Sequence, residues 1–251
     1  MNATLPADRP TTGFGATPPD AAEASISRRS RMRQSRVLGA LFLVGFLVYG
    51  TGSSLAASIV GHPHFLADVP PAQSVLALGA FLILLVTAVD VGKAVLIFPI
   101  LQRHSVTTAV GYVATMIVEV VFLSIGALAL FLIVPLAQHA HDPGAETIGA
   151  TLVAVNAVAY QIGELTLGVG ASFLCLLLLR TRLVPGWLAI SGLVGYVFLA
   201  AGTVAELFGL HIGLYLTMPG FFFEVALPIW LFTKGFRAAV FAAPSAARAA
   251  I

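Results

Sequence analysis

Six long apolar stretches restrict what this chain can fold into. They run over residues 37–60, 75–101, 106–136, 151–179, 187–207 and 212–232. Each is as long as or longer than the roughly 20 residues that an α-helix needs to cross the hydrocarbon core of a bilayer. Only 10% of the residues are charged, against about 25% in soluble domains. The sequence therefore predicts an all-α, multi-pass membrane protein, a bundle of six transmembrane helices.

The connectors between these stretches predict the orientation of the bundle. Residues 61–73 and 137–150 contain no Lys or Arg, and neither does the short turn at Gly209. The alternate connectors carry Arg103, then Arg180 and Arg182, and finally Lys234. Because basic connectors stay on the cytoplasmic side, both termini are predicted to be cytoplasmic.

The two ends of the chain are predicted to be tails. Residues 1–36 are rich in Pro, Ala, Thr and Ser and poor in large apolar side chains, a composition typical of disorder. We therefore expect a disordered cytoplasmic N-terminal tail over 1–36, a transmembrane domain over 37–233 and a short cytoplasmic C-terminal tail over 234–251.

The positive charge is concentrated next to the first apolar stretch. Six of the 13 basic residues lie within the first 36 positions, and most others flank apolar runs. This distribution indicates topology and a lipid bilayer partner rather than nucleic acid. A cluster ends the N-terminal tail and is either a topology signal alone or also a contact for anionic lipid headgroups: Arg28, Arg29, Arg31, Arg33 and Arg36.

Ionisable residues inside the predicted spans are the candidate functional residues. A charge at the centre of a span costs roughly 3 kcal/mol and needs a partner or a function. Lys93 follows Asp90 at helical i,i+3 spacing, which favours an ion pair. The predicted polar centre comprises Asp90, Lys93, Glu119, Asn156, Tyr160, Gln161, Glu164 and Glu224. Because Lys93 can balance only one of the four acids, we expect most of them to be protonated. The alternative is that these residues only hydrogen-bond between helices.

Most histidines fall at connectors predicted to lie outside the cytoplasm. They are His62, His64, His139, His141 and His211. Imidazole groups with nearby carboxylates suit zinc or copper, although solvated loop histidines are commoner than metal sites. The single cysteine, Cys175, excludes an internal disulfide and a cysteine-only metal site. The sequence contains no recognisable catalytic motif, so we expect no enzyme activity unless these histidines bind a metal.

Several short motifs resemble the bacterial domain-of-unknown-function family 4386, a group of six-helix membrane proteins. They are residues 180–188 after the fourth span, Gly195 with Tyr196, and Glu224 followed by residues 230–235. Asp90 and Glu119 also resemble the family, because they stand at its acidic positions in the second and third helices. The resemblance covers about residues 37–236 and implies a bacterial cytoplasmic membrane protein. Phe223 and Met116 depart from it, standing where the family looks to place Gly and Arg.

The sequence leaves three functions open. Mid-membrane carboxylates favour proton- or cation-linked transport. A non-catalytic component for membrane assembly or sensing is the first alternative, and it requires that all the polar residues of the spans be paired within the bundle. A metal-dependent intramembrane enzyme is the second, and it requires that the histidines converge.

Overall fold

The computed structural model describes the backbone of residues 21–237 and, except at Leu214, the side chains of residues 29–237. Within this range the chain forms six α-helices and no strand. They are α1 (Ala21–Val60), α2 (Val69–Leu101), α3 (Val106–Ala137), α4 (Ala145–Thr181), α5 (Gly186–Leu207) and α6 (Gly213–Thr233). Each is long and apolar enough to cross a membrane, which confirms the predicted all-α, six-helix membrane fold.

The first helix differs from the prediction at its start. α1 begins at Ala21, so residues 21–36, predicted to be disordered, are helical. These residues are mostly Ala, Glu, Arg, Met, Gln and Ser, and several of these are strong helix formers. Extending the helix that follows them also avoids the cost of nucleating a new one. Residues 1–20 and 238–251 of the predicted tails lie outside the described residues.

The helices form a closed ring. Each packs mainly on its neighbours in the sequence, and α1 also packs on α6. The start of the ring meets its end, because Arg36 Nε donates to Phe232 O at 3.3 Å and Phe236 N donates to Ser35 Oγ at 3.3 Å. Both ends of the transmembrane domain therefore lie on the same side of the bundle.

The two ends of the bundle differ in character. We call the end with Arg36, Arg103 and Arg182 the basic end and the opposite one, with residues 61–68, 138–144 and 208–212, the histidine end. Partial burial and the neighbouring charge of Arg103 lower the pKa of His104. His104 is therefore mainly neutral at pH 7, and arginine and lysine carry the positive charge of the basic end.

The motifs that resemble the family build the basic end. Arg182 ends α4 in the left-handed region with φ 53°, and the buried Leu183 follows it. Leu183 O accepts from Arg237 N at 3.1 Å, while Trp230 Nε1 donates to Gly235 O at 3.2 Å. Residues 180–188 and 230–235 therefore position the turn after α4 and the end of α6, away from the polar centre, whereas the motif residues Tyr196 and Glu224 lie in the polar interior of the bundle.

Glycines allow the helices to approach closely. A Cβ atom on Gly52 would lie 2.8 Å from Gly79 O of the neighbouring helix. One on Gly195 would lie 2.6 Å from Gly220 Cα. Large apolar side chains such as Phe81, Val95 and Phe173 are exposed on the outside of the bundle, as expected for surfaces that face lipid.

Candidate functional site

A cavity of about 360 Å³ lies at the centre of the ring, and all six helices line it. This volume is within the range of small-molecule sites, roughly 300–1,000 Å³. Many of the side chains in its wall are polar. The polar side chains in the wall are Tyr49, Ser53, Asp90, Lys93, Glu119, Tyr160, Glu164, Tyr196, Thr217 and Glu224.

Asp90 and Lys93 form the ion pair that their spacing predicts. Lys93 Nζ lies 2.5 Å from Asp90 Oδ1, and the two side chains are 13% and 2% exposed. The contact is a close charge pair, although its alignment is not that of a hydrogen bond. Lys93 Nζ also lies 4.9 Å from the centre of the Phe42 ring, a distance that suits a cation–π contact. Asp90 therefore already neutralises the charge of Lys93.

Glu119 is a buried acid of the cavity whose hydrogen bonds are incomplete. It is 3% exposed, and its Oε2 atom has no hydrogen-bond partner among the described residues. Gly163 of α4 lies beside it, since a Cβ there would be 3.8 Å from Glu119 Cγ. A buried polar atom without a partner is costly unless a water, ion or ligand completes its contacts. A ligand that contacts Glu119 would therefore supply the missing partner of its Oε2 atom.

Glu224 reaches the same cavity from α6. Its Oε1 atom accepts a hydrogen bond from the Tyr196 hydroxyl at 3.2 Å. Pro228 follows at i+4 and has no N–H to donate to the Glu224 carbonyl. Glu224 thus brings both a carboxyl group and a freed backbone acceptor to this side of the ring.

Two stacked tyrosines bridge helices that are not neighbours in the ring. The Tyr49 and Tyr160 rings lie 5.3 Å apart at an interplanar angle of 14°, which joins α1 to α4. Tyr160 lies one turn closer to the histidine end than Glu164, because α4 starts at that end. The stacked pair therefore forms part of the cavity wall on the histidine side of the carboxyl groups.

The charges of the cavity do not balance. Lys93 is the only Lys or Arg among the described residues that line it, and Asp90 already pairs with Lys93. This leaves Glu119, Glu164 and Glu224. Three uncompensated negative charges in a low-dielectric site are unfavourable. Bound protons or a bound cation would remove that cost, so the chemistry available here is the uptake and release of positive charge.

The cavity is least enclosed between α1 and α6. Among the described lining residues, only four are exposed: Phe46 and Gly50 on α1, and Met218 and Phe221 on α6. The Phe46 and Phe221 rings lie 5.4 Å apart and cross this seam. The cavity therefore opens sideways, toward the region that lipid would occupy.

A second depression continues from this seam along the outer surface of α1. It shares Phe46 and Gly50 with the cavity and also contains Thr51, Ser54 and Ser58. Hydroxyl groups on a lipid-facing surface are unusual, and here Ser58 Oγ bonds to Leu55 O of its own helix. The depression thus offers a partly polar path that leads to the Phe46–Phe221 pair.

The structure brings most of the predicted polar centre together. Six of its eight residues line the cavity, whereas Asn156 and Gln161 do not. Asn156 instead faces α3, where its Nδ2 would lie 3.0 Å from a Cβ on Gly126. The prediction omitted Tyr49 and Tyr196. A signal for Tyr49 was present, because Gly45, Tyr49 and Ser53 recur every four residues along α1.

The structure does not bring the predicted histidine ligands together as it does the polar centre. Its five histidines lie at one end of the bundle, but within residues 29–237 no group of three or more His, Cys, Asp or Glu can hold a metal ion. The contacts of three of them are local: His62 meets Asp68 at 3.5 Å, His139 meets Pro135 O at 3.3 Å, and His211 meets Glu206 at 3.4 Å. Metal binding stays a prediction for these residues.

The predicted lipid-contacting cluster lies at the start of the transmembrane part of α1. Arg29, Arg33 and Arg36 are exposed there. The side chain of Arg28 lies outside the described residues. Exposure permits contact with anionic headgroups, which remains a prediction.

Comparison with known proteins agrees with the resemblance in the sequence. No curated protein matches the chain, and no solved structure does. One family model matches residues 37–235, a range that covers all six spans, both motifs of the basic end and every residue of the cavity. The chain therefore belongs to the family described as Domain of unknown function (DUF4386).

Proposed function

We propose that this membrane protein carries a proton or another cation across the membrane, with the central cavity as its binding site. The observation that carries the proposal is Glu119, which lines the cavity, is 3% exposed and has a buried Oε2 atom without a hydrogen-bond partner among the described residues. Glu164 and Glu224 line the same cavity. Ionisable residues that face the interior of a membrane bundle commonly mark ion pathways and proton relays.

The cavity favours this function over purely structural helix contacts. If the polar residues served only to join helices, each buried carboxyl oxygen would have a partner on a neighbouring helix. Glu119 Oε2 has none among the described residues, and Glu119, Glu164 and Glu224 line one cavity. An unsatisfied acid beside a cavity is suited to binding a positive charge.

The proposed setting is the bacterial cytoplasmic membrane, with the basic end of the bundle in the cytoplasm. Arg103, Arg180 and Arg182 lie in or beside the turns of that end, and the positive-inside rule supports this orientation. In it, the carboxyl groups lie near the middle of their helices, between the two aqueous sides.

Flux measurements on reconstituted protein test this proposal. Purified full-length chain is placed in liposomes that contain a pH-sensitive dye, and a pH or Na⁺ gradient is applied. We expect dye-reported proton movement that exceeds that of empty liposomes and is lost in Glu119→Gln and Glu164→Gln. The amide keeps the shape of the side chain while it removes its charge and its titration.

Glu146→Gln is the matched control, because Glu146 lies in the first turn of α4 and outside the cavity. This variant should keep the parent flux. Helicity measured by circular dichroism verifies that each variant is folded. If folded Glu119→Gln and Glu164→Gln both carry protons and Na⁺ at the parent rate, or if the parent carries no protons, no Na⁺ and no organic cation, the proposal is wrong.

A further inference from the structure

We infer that the cavity binds an organic cation with an apolar body, such as a substituted ammonium group attached to a ring, and that this ligand enters sideways between α1 and α6. The inference rests on the proposed cation site and specifies its ligand class. Three observations carry it: the volume of the cavity, the aromatic rings among its acids, and the position of its opening.

The cavity is too large for a bare ion alone. Its volume of about 360 Å³ exceeds by roughly tenfold the 30 Å³ that one water occupies in the liquid. A site for Na⁺ or a proton needs a few oxygen atoms held close to the ion. Here carboxyl groups of Asp90, Glu119, Glu164 and Glu224 line a space that fits a small organic molecule.

The wall supplies both kinds of contact that a substituted ammonium ligand uses. Glu119 supplies the buried, unpartnered oxygen. Tyr49, Tyr160 and Tyr196 place aromatic rings in the same wall, and aromatic faces attract quaternary ammonium groups. Apolar residues such as Val86, Leu123 and Leu199 suit the body of the ligand. An anionic ligand would meet four acids and a lysine that is already paired.

The opening of the cavity faces lipid. The exposed lining residues, Phe46, Gly50, Met218 and Phe221, all lie on α1 and α6. A hydrated inorganic ion has no reason to enter through a surface that faces hydrocarbon, since charge transfer into lipid is costly. An amphipathic cation concentrates in the membrane and reaches this seam directly. The Phe46–Phe221 pair is positioned to admit its ring.

Equilibrium binding to the full-length chain in nanodiscs tests the ligand class. Radiolabelled benzyltrimethylammonium is the probe, because its charge is permanent. We expect saturable binding of one probe per chain, no competition by phenylacetate, and little competition by Na⁺ at equal concentration. Glu119→Gln should weaken binding about tenfold or more, while Glu146→Gln should leave it unchanged.

A pair of glycine substitutions tests the route. A Cβ on Gly50 or on Gly111 would meet no atom within 4 Å, and both residues are exposed, so a side chain can begin at either position without a clash at its Cβ. Gly50 lines the opening, whereas Gly111 lies on α3 and outside the cavity. We expect Gly50→Phe to slow probe association about tenfold, and Gly111→Phe to leave the association rate unchanged.

The outcomes separate this inference from the proposed function. Proton or Na⁺ flux without saturable probe binding overturns the inference and leaves the proposed transport standing. Saturable, Glu119-dependent binding without any flux supports the ligand class and overturns transport. Equal association rates in Gly50→Phe and Gly111→Phe refute the lateral route. Unchanged probe affinity in folded Glu119→Gln refutes the cavity as the binding site.

Discussion

The Asp90–Lys93 pair predicts an asymmetry between two single substitutions. Lys93→Met removes the only Lys or Arg among the described lining residues and leaves four acids around the cavity. Asp90→Asn leaves Lys93 with an amide oxygen as its nearest acceptor and with three other carboxyl groups in the same cavity. Loss of the lysine should therefore destabilise the fold more than loss of the aspartate.

The magnitudes follow from the burial of the pair. The two side chains are 2% and 13% exposed, so water screens their interaction little. Removal of one partner of a buried pair costs about 3–5 kcal/mol, which is the loss expected for Lys93→Met. For Asp90→Asn, a contact of Lys93 with a neutral amide oxygen replaces its contact with a charged carboxylate, and the expected loss is about 1–2 kcal/mol because three other acids remain in the cavity to balance the lysine.

The assay is unfolding by SDS, followed by circular dichroism in mixed micelles, with the free energy of unfolding compared between variants. The Asp90→Asn, Lys93→Met double variant should recover part of the stability lost in Lys93→Met, since it leaves one acid fewer without a partner. Lys234→Met is the control, because Lys234 is exposed at the basic end and its replacement should change stability by less than about 0.5 kcal/mol. The reasoning is refuted if Asp90→Asn is as damaging as Lys93→Met.

Four further predictions concern the packing, topology and chemistry of the bundle. Gly52→Leu should destabilise by about 1–3 kcal/mol, since its Cβ would lie 2.8 Å from Gly79 O, while Gly111→Leu should not, and equal SDS midpoints would contradict this. Reporters active outside the cytoplasm should respond near Ala67, Gly144 and Gly209 but not near His104, Leu183 or Pro244; activity at Leu183 would reverse the proposed orientation. If the histidine loops bind metal, purified protein retains about one zinc or copper per chain, and the His139→Ala, His141→Ala double variant loses it; unchanged retention would exclude these two residues as ligands. Infrared spectra at pH 7 should contain a protonated carboxyl band that decreases in Glu119→Gln, and its absence in the parent would show that the cavity acids are ionised.

The fold was readable from the sequence because one physical requirement dominates it. A backbone that crosses lipid must satisfy its own hydrogen bonds, so each apolar run of about 20 residues becomes a helix. The predicted first residues of the helices were least accurate where a helix extends beyond its apolar run. α2 begins at Val69, before its apolar run, because Pro70 and Pro71 suit a first helical turn. α4 begins at Ala145, also before its apolar run, directly after Gly144, which adopts φ 87°.

The opening of the cavity was not readable from the sequence. Phe46, Gly50, Met218 and Phe221 are ordinary residues of apolar helices, and their position on a seam follows from how α1 meets α6 at the close of the ring. Toward the basic end, α1 and α6 pack closely, since a Cβ on Gly39 would lie 3.2 Å from Leu231 Cβ. A lipid-facing helix surface and the opening of the cavity consist of the same kinds of apolar residue, so only the packed structure distinguishes them.

The carboxyl groups were predictable individually, but the sequence places Asn156, Tyr160 and Glu164 four residues apart on one face of α4, and the structure does not direct all three into the cavity. Each residue turns the helix by about 100°, so residues four apart diverge by about 40°. Tyr160 and Glu164 differ by one such step and both line the cavity. Asn156 is two steps, about 80°, from Glu164 and faces Gly126 of α3 instead, while Gly168, one step beyond Glu164, packs on Ala200 of α5. Because of this divergence, Asn156 and Gly168 hold α4 between its two neighbours, and their contacts fix the direction in which Tyr160 and Glu164 point. The cavity therefore depends on residues that lie outside it.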